Sequence, residues 1–344
     1  MKKKIVLWWG RSDISYSRNR IIRKLFKELN YEIIDFFPLI SCLAHVEAFL
    51  KNFNYMPSLI WVPCFRHRDV ESAHIWSKKN NVPLVFDPLI SSWDKKINER
   101  GLYSPKSIES KKILINESTI FNKADLIIAD TECHADFYSK YLNISKKKIS
   151  VVYVGAEEEL FKPDAKNSIN NKVLFYGSFI ELHGIDTIIK AAEISTKKIT
   201  WELIGDISKI NIPINSSKLI INEAIDYEKL PNKINSADIL LGIFSNSKKA
   251  NNVIPNKVYQ SLACGKAVIT RAADAYPKKI PLSNDALFFI EPNNPIALSE
   301  KINEIYDKNL LPKSKIAAKK IFNKFFSEKI IKKQLCNALR SFNL

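Results

Sequence analysis

The sequence predicts an α/β protein of two doubly wound, Rossmann-like parallel-sheet domains facing a cleft. Two observations carry this. Short apolar runs alternate with amphipathic stretches along the whole chain, and one segment without apolar periodicity splits them into two series. Alternation of this kind requires crossover connections, and so parallel sheets covered by helices on both faces.

The first series of candidate strands is 5–9, 31–36, 59–62, 84–86, 126–129 and 151–154. Between the first two, residues 17–29 place Ile21, Ile22, Leu25, Phe26 and Leu29 on one face, the 3.6 period of a half-buried helix. The second series is 173–176, 200–204, 219–221, 239–243, 267–270 and 287–290, with helical patterns at 185–193, 255–263 and 295–306. The divider, VGAEEELFKPDAKNSINNK at 154–172, mixes Gly, Pro, Asn and Asp and reads as a linker. The expected organisation is a domain over 1–155, a linker over 156–172, a second domain over 173–312, and one or two basic amphipathic helices over 313–344.

Composition bounds the partners. The chain is 46 % hydrophobic and 26 % charged, ample for two cores. A net charge of +17 suits an anionic partner: nucleic acid, an anionic membrane or a phosphorylated small substrate. No nucleic-acid-binding motif is present, so nucleic acid is not expected. The apolar run 5–9 is shorter than a signal h-region, and no stretch approaches the ~18 residues of a membrane span. The expected location is cytoplasmic, with membrane contact only peripheral, at the inner face. The five cysteines are scattered and lack a C-x-x-C pair, which favours idle thiols over disulfides or zinc.

Eight glycines stand where an average chain would have about two dozen. Gly10, Gly155, Gly177, Gly205 and Gly242 fall at ends of candidate strands, where open parallel sheets bind ligands. In VLFYGSFIELHGIDTII (173–189), Gly177 turns the chain out of a strand and Gly184 opens a helix. That arrangement suits phosphate, and it equally suits an ordinary turn into a helix.

Three segments of the second half carry a family resemblance. VLFYGSFIELHGIDTIIKAAE, IPNKVYQSLACGKAVIT (254–270) and VVYVGAEEELFKP (151–163) resemble the donor-domain Gly loop, donor-binding helix and domain exit of the retaining GT-B glycosyltransferases of family 4. WWGRSDISYSRNRII, FDPLISSWDKKINERG and ADLIIADTECHADFY resemble the N-terminal, acceptor-side domain of one subgroup. The resemblance implies a GT-B fold whose last helix packs back on the first domain. It implies a nucleotide-diphospho-sugar co-substrate, no required metal and no other cofactor, and a glycan or lipid-linked acceptor, in cell-envelope or surface glycan synthesis. Transfer would retain the anomeric configuration, with no covalent enzyme nucleophile.

The resemblance assigns donor binding to Gly177, Ser178, Gly184, Gly205, Asn252, Val253, Ile254, Lys257 and Gln260. Ser178 and His183 stand where the family usually has Arg and Lys, and Asn252 and Gln260 where it has two glutamates. A hydroxyl and an imidazole supply less fixed charge to a diphosphate. His183 is nevertheless placed with Asp87 as a catalytic candidate, Asp87 as the group orienting or deprotonating the acceptor hydroxyl. A helix-capping role for Asp87 is equally open. Gly10, Arg11, Arg18 and Asn19 are placed on the acceptor or phosphate side, or on a solvated basic helix face. The basic helix 18–27 and the basic tail are the expected membrane-facing elements. Two other readings stand beside the transferase: another GT-B enzyme such as a nucleotide-sugar epimerase, and a degenerate, non-catalytic GT-B protein.

Overall fold

The structure is a computed structural model and describes residues 4–51, 53, 55–164, 171–210, 217–281 and 283–342. It contains two compact units, one formed by residues 1–154 and 331–344, the other by 155–330.

In the first unit the strands are β1 (Lys4–Trp9), β2 (Tyr31–Phe36), β3 (Leu59–Val62), β4 (Leu84–Phe86), β5 (Leu126–Ala129) and β6 (Ile149–Val151). They form one parallel sheet in the order β2-β1-β3-β4-β5-β6. Central strands buried on both faces read as unbroken apolar runs; in β1 every residue after Lys4 is buried. The helices are α1 (Ser17–Glu28), α2 (Ala44–Leu50), α3 (Val70–Asn80), α4 (Ser92–Asp94), α5 (Ile108–Asn122) and α6 (Glu132–Tyr141).

The second unit repeats the plan with β7 (Lys172–Tyr176), β8 (Thr200–Gly205), β9 (Leu219–Glu223), β10 (Ile239–Leu241), β11 (Ala267–Arg271) and β12 (Leu287–Ile290). The order is β12-β11-β10-β7-β8-β9, again all parallel. Helices α7 (Ile185–Ile194), α8 (Leu230–Asn235), α9 (Asn256–Ala263), α10 (Pro295–Asp307) and α11 (Leu311–Phe325) cover it. Helix α12 (Glu328–Leu339) leaves this unit, and its residues from Ile331 onward belong to the first. There Gln334 Oε1 accepts from Tyr153 N at 3.1 Å and Lys332 pairs with Glu28 of α1 at 3.1 Å.

The structure departs from the sequence reading at several boundaries and in the linker. β6 ends at Val151, because the carbonyls of Val152 and Tyr153 accept from the Arg18 guanidinium at 2.8 and 2.9 Å. β10 ends at Leu241, where the Thr270 hydroxyl takes the Ile243 N–H at 3.2 Å in place of a strand partner. The start of the expected linker is packed rather than free: Phe161 is buried, and Asn235 bonds to both Lys162 O and Asp164 N. Part of that linker, residues 165–170, lies outside the described residues.

The scarcity of glycine has a visible counterpart. Asn30, Asn81, Asn143, Asn171, Asn293 and Asn309 all take positive φ, and Asn81 closes α3 in the left-handed conformation. Asparagine is the residue that tolerates this region best after glycine, so it serves as the helix stop.

Candidate donor and acceptor sites

In the second unit the site is built around Gly177, the first residue beyond β7. Its φ is +151°, and a Cβ there would lie 2.8 Å from His183 Cε1, 3.4 Å from His183 Nδ1 and 3.2 Å from Lys257 Nζ. Only a glycine lets the backbone pass this close. The short helix Glu181–His183 brings His183 back over the strand end, and its carbonyl accepts from Phe244 N at 3.0 Å. Gly184 follows at φ +65° and packs against the Phe244–Ser245 backbone. Gly205 is equally constrained, since a Cβ would fall 2.0 Å from the Gly177 carbonyl oxygen.

Lys257 reaches the same point from the first turn of α9, its Nζ 3.9 Å from the centroid of Phe175. Both His183 and Lys257 are buried, and neither His183 Nδ1 nor Lys257 Nζ has a hydrogen-bond partner. Burial holds the Lys257 ammonium well below its ordinary range. Burial also holds His183 well below its ordinary value, and the nearby Lys257 and Lys209 add to this. Two cation-forming groups thus converge, desolvated and without a counter-charge, on one bare backbone position. Such an arrangement takes an anion.

The other donor-side residues divide. Ser178 is exposed, and its carbonyl holds Lys209 at 3.2 Å. Asn252, assigned to donor binding, closes a turn with its N–H on Lys249 O at 2.9 Å. Val253 packs beside Leu182, Ile243 and Ala250, and Ile254 is buried before Pro255, which precedes α9 rather than opening it. Gln260 is only 2 % exposed, and its amide is already engaged. Tyr176 OH donates to Oε1 at 2.7 Å, and Nε2 donates to Tyr227 OH at 3.3 Å. Tyr227 OH in turn donates to Glu157 at 3.0 Å. The resemblance assigned this amide to donor binding; here the two tyrosines hold it. Tyr176 was legible only as the last residue of an apolar run.

In the first unit, Gly10 has φ +119°, and a Cβ there would fall 2.7 Å from Asp69 Oδ2 and 3.2 Å from Arg66 Nε. Arg11 is exposed. Arg18 is not on a solvated face: it is fully buried, with Nε and Nη2 on the two oxygens of Asp87 at 2.9 and 3.2 Å. Asp87 is 1 % exposed and held by Arg18, so it is neither a helix cap nor a free base. Burial pushes its carboxyl upward against the pull of Arg18. Asn19 is buried too, its Nδ2 on Asp13 O at 2.7 Å and its Oδ1 accepting from Cys64 Sγ at 3.2 Å.

Sequence reasoning missed the partners that fix this end of the sheet. Glu117 accepts from Ser91 Oγ and Trp93 N at 2.7 and 2.9 Å, and so anchors the loop after Asp87. Thr131 caps α6 through His134 N at 3.1 Å, and His134 is buried against Asp130. Among the described residues no group of three or more His, Cys, Asp or Glu side chains is placed to hold a metal ion, and no helix is long and apolar enough to cross a membrane.

Residues 156–321 match the family of glycosyl transferases group 1. No curated protein matches the chain by sequence. Among solved structures, the chain is similar to HepE of Anabaena in complex with UDP (TM-score 0.71, 15 % identity, 98 % of this chain and 100 % of that one). It is similar to the sucrose-phosphate synthase of Thermosynechococcus elongatus (TM-score 0.76, 15 % identity, 99 % of each chain). A glycosyltransferase from Rickettsia africae is also similar (TM-score 0.71, 16 % identity, 99 % of each chain). The two parallel sheets with flanking helices are the GT-B fold.

Proposed function

We propose that this GT-B glycosyltransferase, whose second unit belongs to the glycosyl transferases group 1 family, holds the diphosphate of a nucleotide-sugar donor at the Gly177 loop and moves the sugar to a hydroxyl acceptor. One observation carries the placement: His183 Nδ1 and Lys257 Nζ, buried and without hydrogen-bond partners, meet over the Cα of Gly177. A diphosphate there gains two charge-assisted hydrogen bonds that water does not compete for.

The chemistry follows from that geometry. As the bond from the anomeric carbon to the diphosphate oxygen lengthens, negative charge grows on the leaving group. Lys257 and His183 are fixed where that charge develops, so they stabilise the transition state more than the ground state. The acceptor hydroxyl loses its proton to the departing diphosphate, whose charge the Lys257 ammonium and the His183 imidazolium balance. Asp87 and Arg18 act by holding the ends of β4 and β6 together. The proposed transfer retains the anomeric configuration and needs no metal. The proposed acceptor is a glycan or lipid-linked glycan of the cell envelope, reached from the cytoplasmic face of the membrane.

HepE of Anabaena has been solved with UDP and with UDP-glucose, which makes the uridine donors the first to try. Titration calorimetry with UDP, GDP and ADP, followed by acceptor screening with the tightest one's sugars, tests the reading. Binding of none of them would overturn it. Release of the nucleoside diphosphate with no glycosylated product would point to an epimerase.

A further inference from the structure

The residues just beyond β2 form a surface that the proposed chemistry does not use. Segment 37–40 leads into a short helical turn, Ser41–Leu43, and then directly into α2. The usual amphipathic order is reversed along it. Ala44 and Ala48, four residues apart, face the core and are buried. Leu43, Val46 and Leu50, at spacings of three and four, face outward and are exposed. Leu39 and Leu50 are 83 % and 81 % exposed, and Phe37, Ile40 and Met56 are exposed beside them in sequence. Phe49 also packs inward, yet Leu43, Val46 and Leu50 stay outside, which leaves this helix with an unpartnered apolar face.

The margin of this face is basic. Lys51 lies over Phe36 at 5.3 Å and Lys79 over Phe49 at 4.5 Å, whereas Arg66, beside Ser41, is already paired with Asp69. Glu47, the acidic residue of α2, is tied back to Leu39 N at 2.9 Å. Apolar residues flanked by Lys51 and Lys79, on a chain of net charge +17, match the interfacial layer of an anionic bilayer. The basic helix expected to do this is less suited: in α1, Arg18 is buried and Arg23 is paired with Asp35 at 2.6 Å.

We propose that the α2 face, from Leu39 to Leu50, is a docking surface for an anionic lipid bilayer, entered by Leu39, Leu43, Val46 and Leu50 and held by Lys51 and Lys79. It lies at the carboxyl end of the first sheet, beside Gly10, whose N–H bonds to Phe36 O at 3.0 Å. The proposal is independent of the donor site and stands or falls separately from it.

The test is co-sedimentation of the full chain with vesicles of 70 % phosphatidylcholine and 30 % phosphatidylglycerol at 0.15 M salt, a mixture set at roughly physiological ionic strength. Wild type is expected to bind these and not pure phosphatidylcholine. Leu39→Gln with Leu50→Gln, both on the surface, is expected to bind at least ~10-fold more weakly, as lost apolar insertion requires, with unchanged thermal unfolding and unchanged nucleoside diphosphate binding. Lys51→Gln with Lys79→Gln is expected to weaken binding to anionic vesicles too. No wild-type binding, equal binding to neutral vesicles, or undiminished binding by the leucine variant would overturn the proposal. So would a wild-type dimer in solution that the leucine variant abolishes without any lipid binding, which would make the face a contact between copies.

Discussion

Lys257 Nζ and His183 Nδ1 address one point in space, 3.2 and 3.4 Å from where a Cβ on Gly177 would stand, and neither has a hydrogen-bond partner. A buried ammonium without a partner destabilises the fold. Lys257→Met therefore opposes function and stability to each other. Its affinity for the nucleoside diphosphate should fall roughly 10- to 150-fold, the value of one charged hydrogen bond. Its unfolding midpoint in urea should stay level or rise. Gly177→Ala should lose the ligand as well, because its methyl occupies the site. A Lys257→Met protein that binds as tightly as wild type would remove Lys257 from the site.

Ligand binding should take up a proton. Burial, then Lys257 and Lys209, hold His183 well below its ordinary value of 6.5 in the free protein, with Lys209 itself paired to Asp206 at 3.0 Å. A diphosphate reverses the local charge and favours the imidazolium. Affinity should rise as pH falls from 8 to 6, and His183→Gln should flatten that slope. Calorimetry in two buffers of different ionisation heat counts the proton; identical heats would refute the uptake. For the free protein, the unfolded chain binds the His183 proton near pH 6.5 while the folded chain does not. Stability contributed by this group is full above 6.5 and is lost as pH falls toward the lower folded value.

Arg18 and Asp87 form a buried pair whose removal should be felt in stability first. Asp87→Ala leaves a buried guanidinium without its counter-ion, and Arg18→Ala leaves a buried carboxylate. Each should cost about 3–5 kcal/mol, with the paired apolar variant Arg18→Met/Asp87→Leu less destabilised than the sum. Urea unfolding of the three proteins measures this. Normal stability in Asp87→Asn together with abolished turnover would instead make Asp87 the base.

These outcomes depend on contacts the sequence conceals to different degrees. Among the described residues, the central strands were legible because parallel strands buried on both faces leave unbroken apolar runs, as in KIVLWW, whereas the half-buried edge strand β6, expected at 151–154, lies at 149–151. The Gly177 turn was legible because glycine is so rare here. Pairing was not: Arg18 and Asp87 are 69 residues apart, Tyr176 and Gln260 84. Nothing local in either segment names the partner. The positive φ of Phe65, Leu89 and Phe179 was also hidden, because bulky residues disfavour that region and tertiary packing imposes it.

The Tyr176–Gln260–Tyr227–Glu157 chain explains why an amide stands at 260. It runs in one direction: Tyr176 donates to the amide oxygen, the amide nitrogen donates to Tyr227, and Tyr227 donates to Glu157. A glutamate at 260 could accept from Tyr176 but could not donate to Tyr227. It would also set a second carboxylate about the Tyr227 hydroxyl, which has one proton for two acceptors. Gln260→Glu should therefore destabilise the second unit. Gln260→Leu should cost about 1–3 kcal/mol by removing the acceptor of the buried Tyr176 hydroxyl and the donor to Tyr227. Tyr176→Phe added to Gln260→Leu should recover much of that loss, since both polar partners are then gone. A double-mutant cycle on urea unfolding reads the coupling; additive single effects would mean that the tyrosine and the glutamine do not act together.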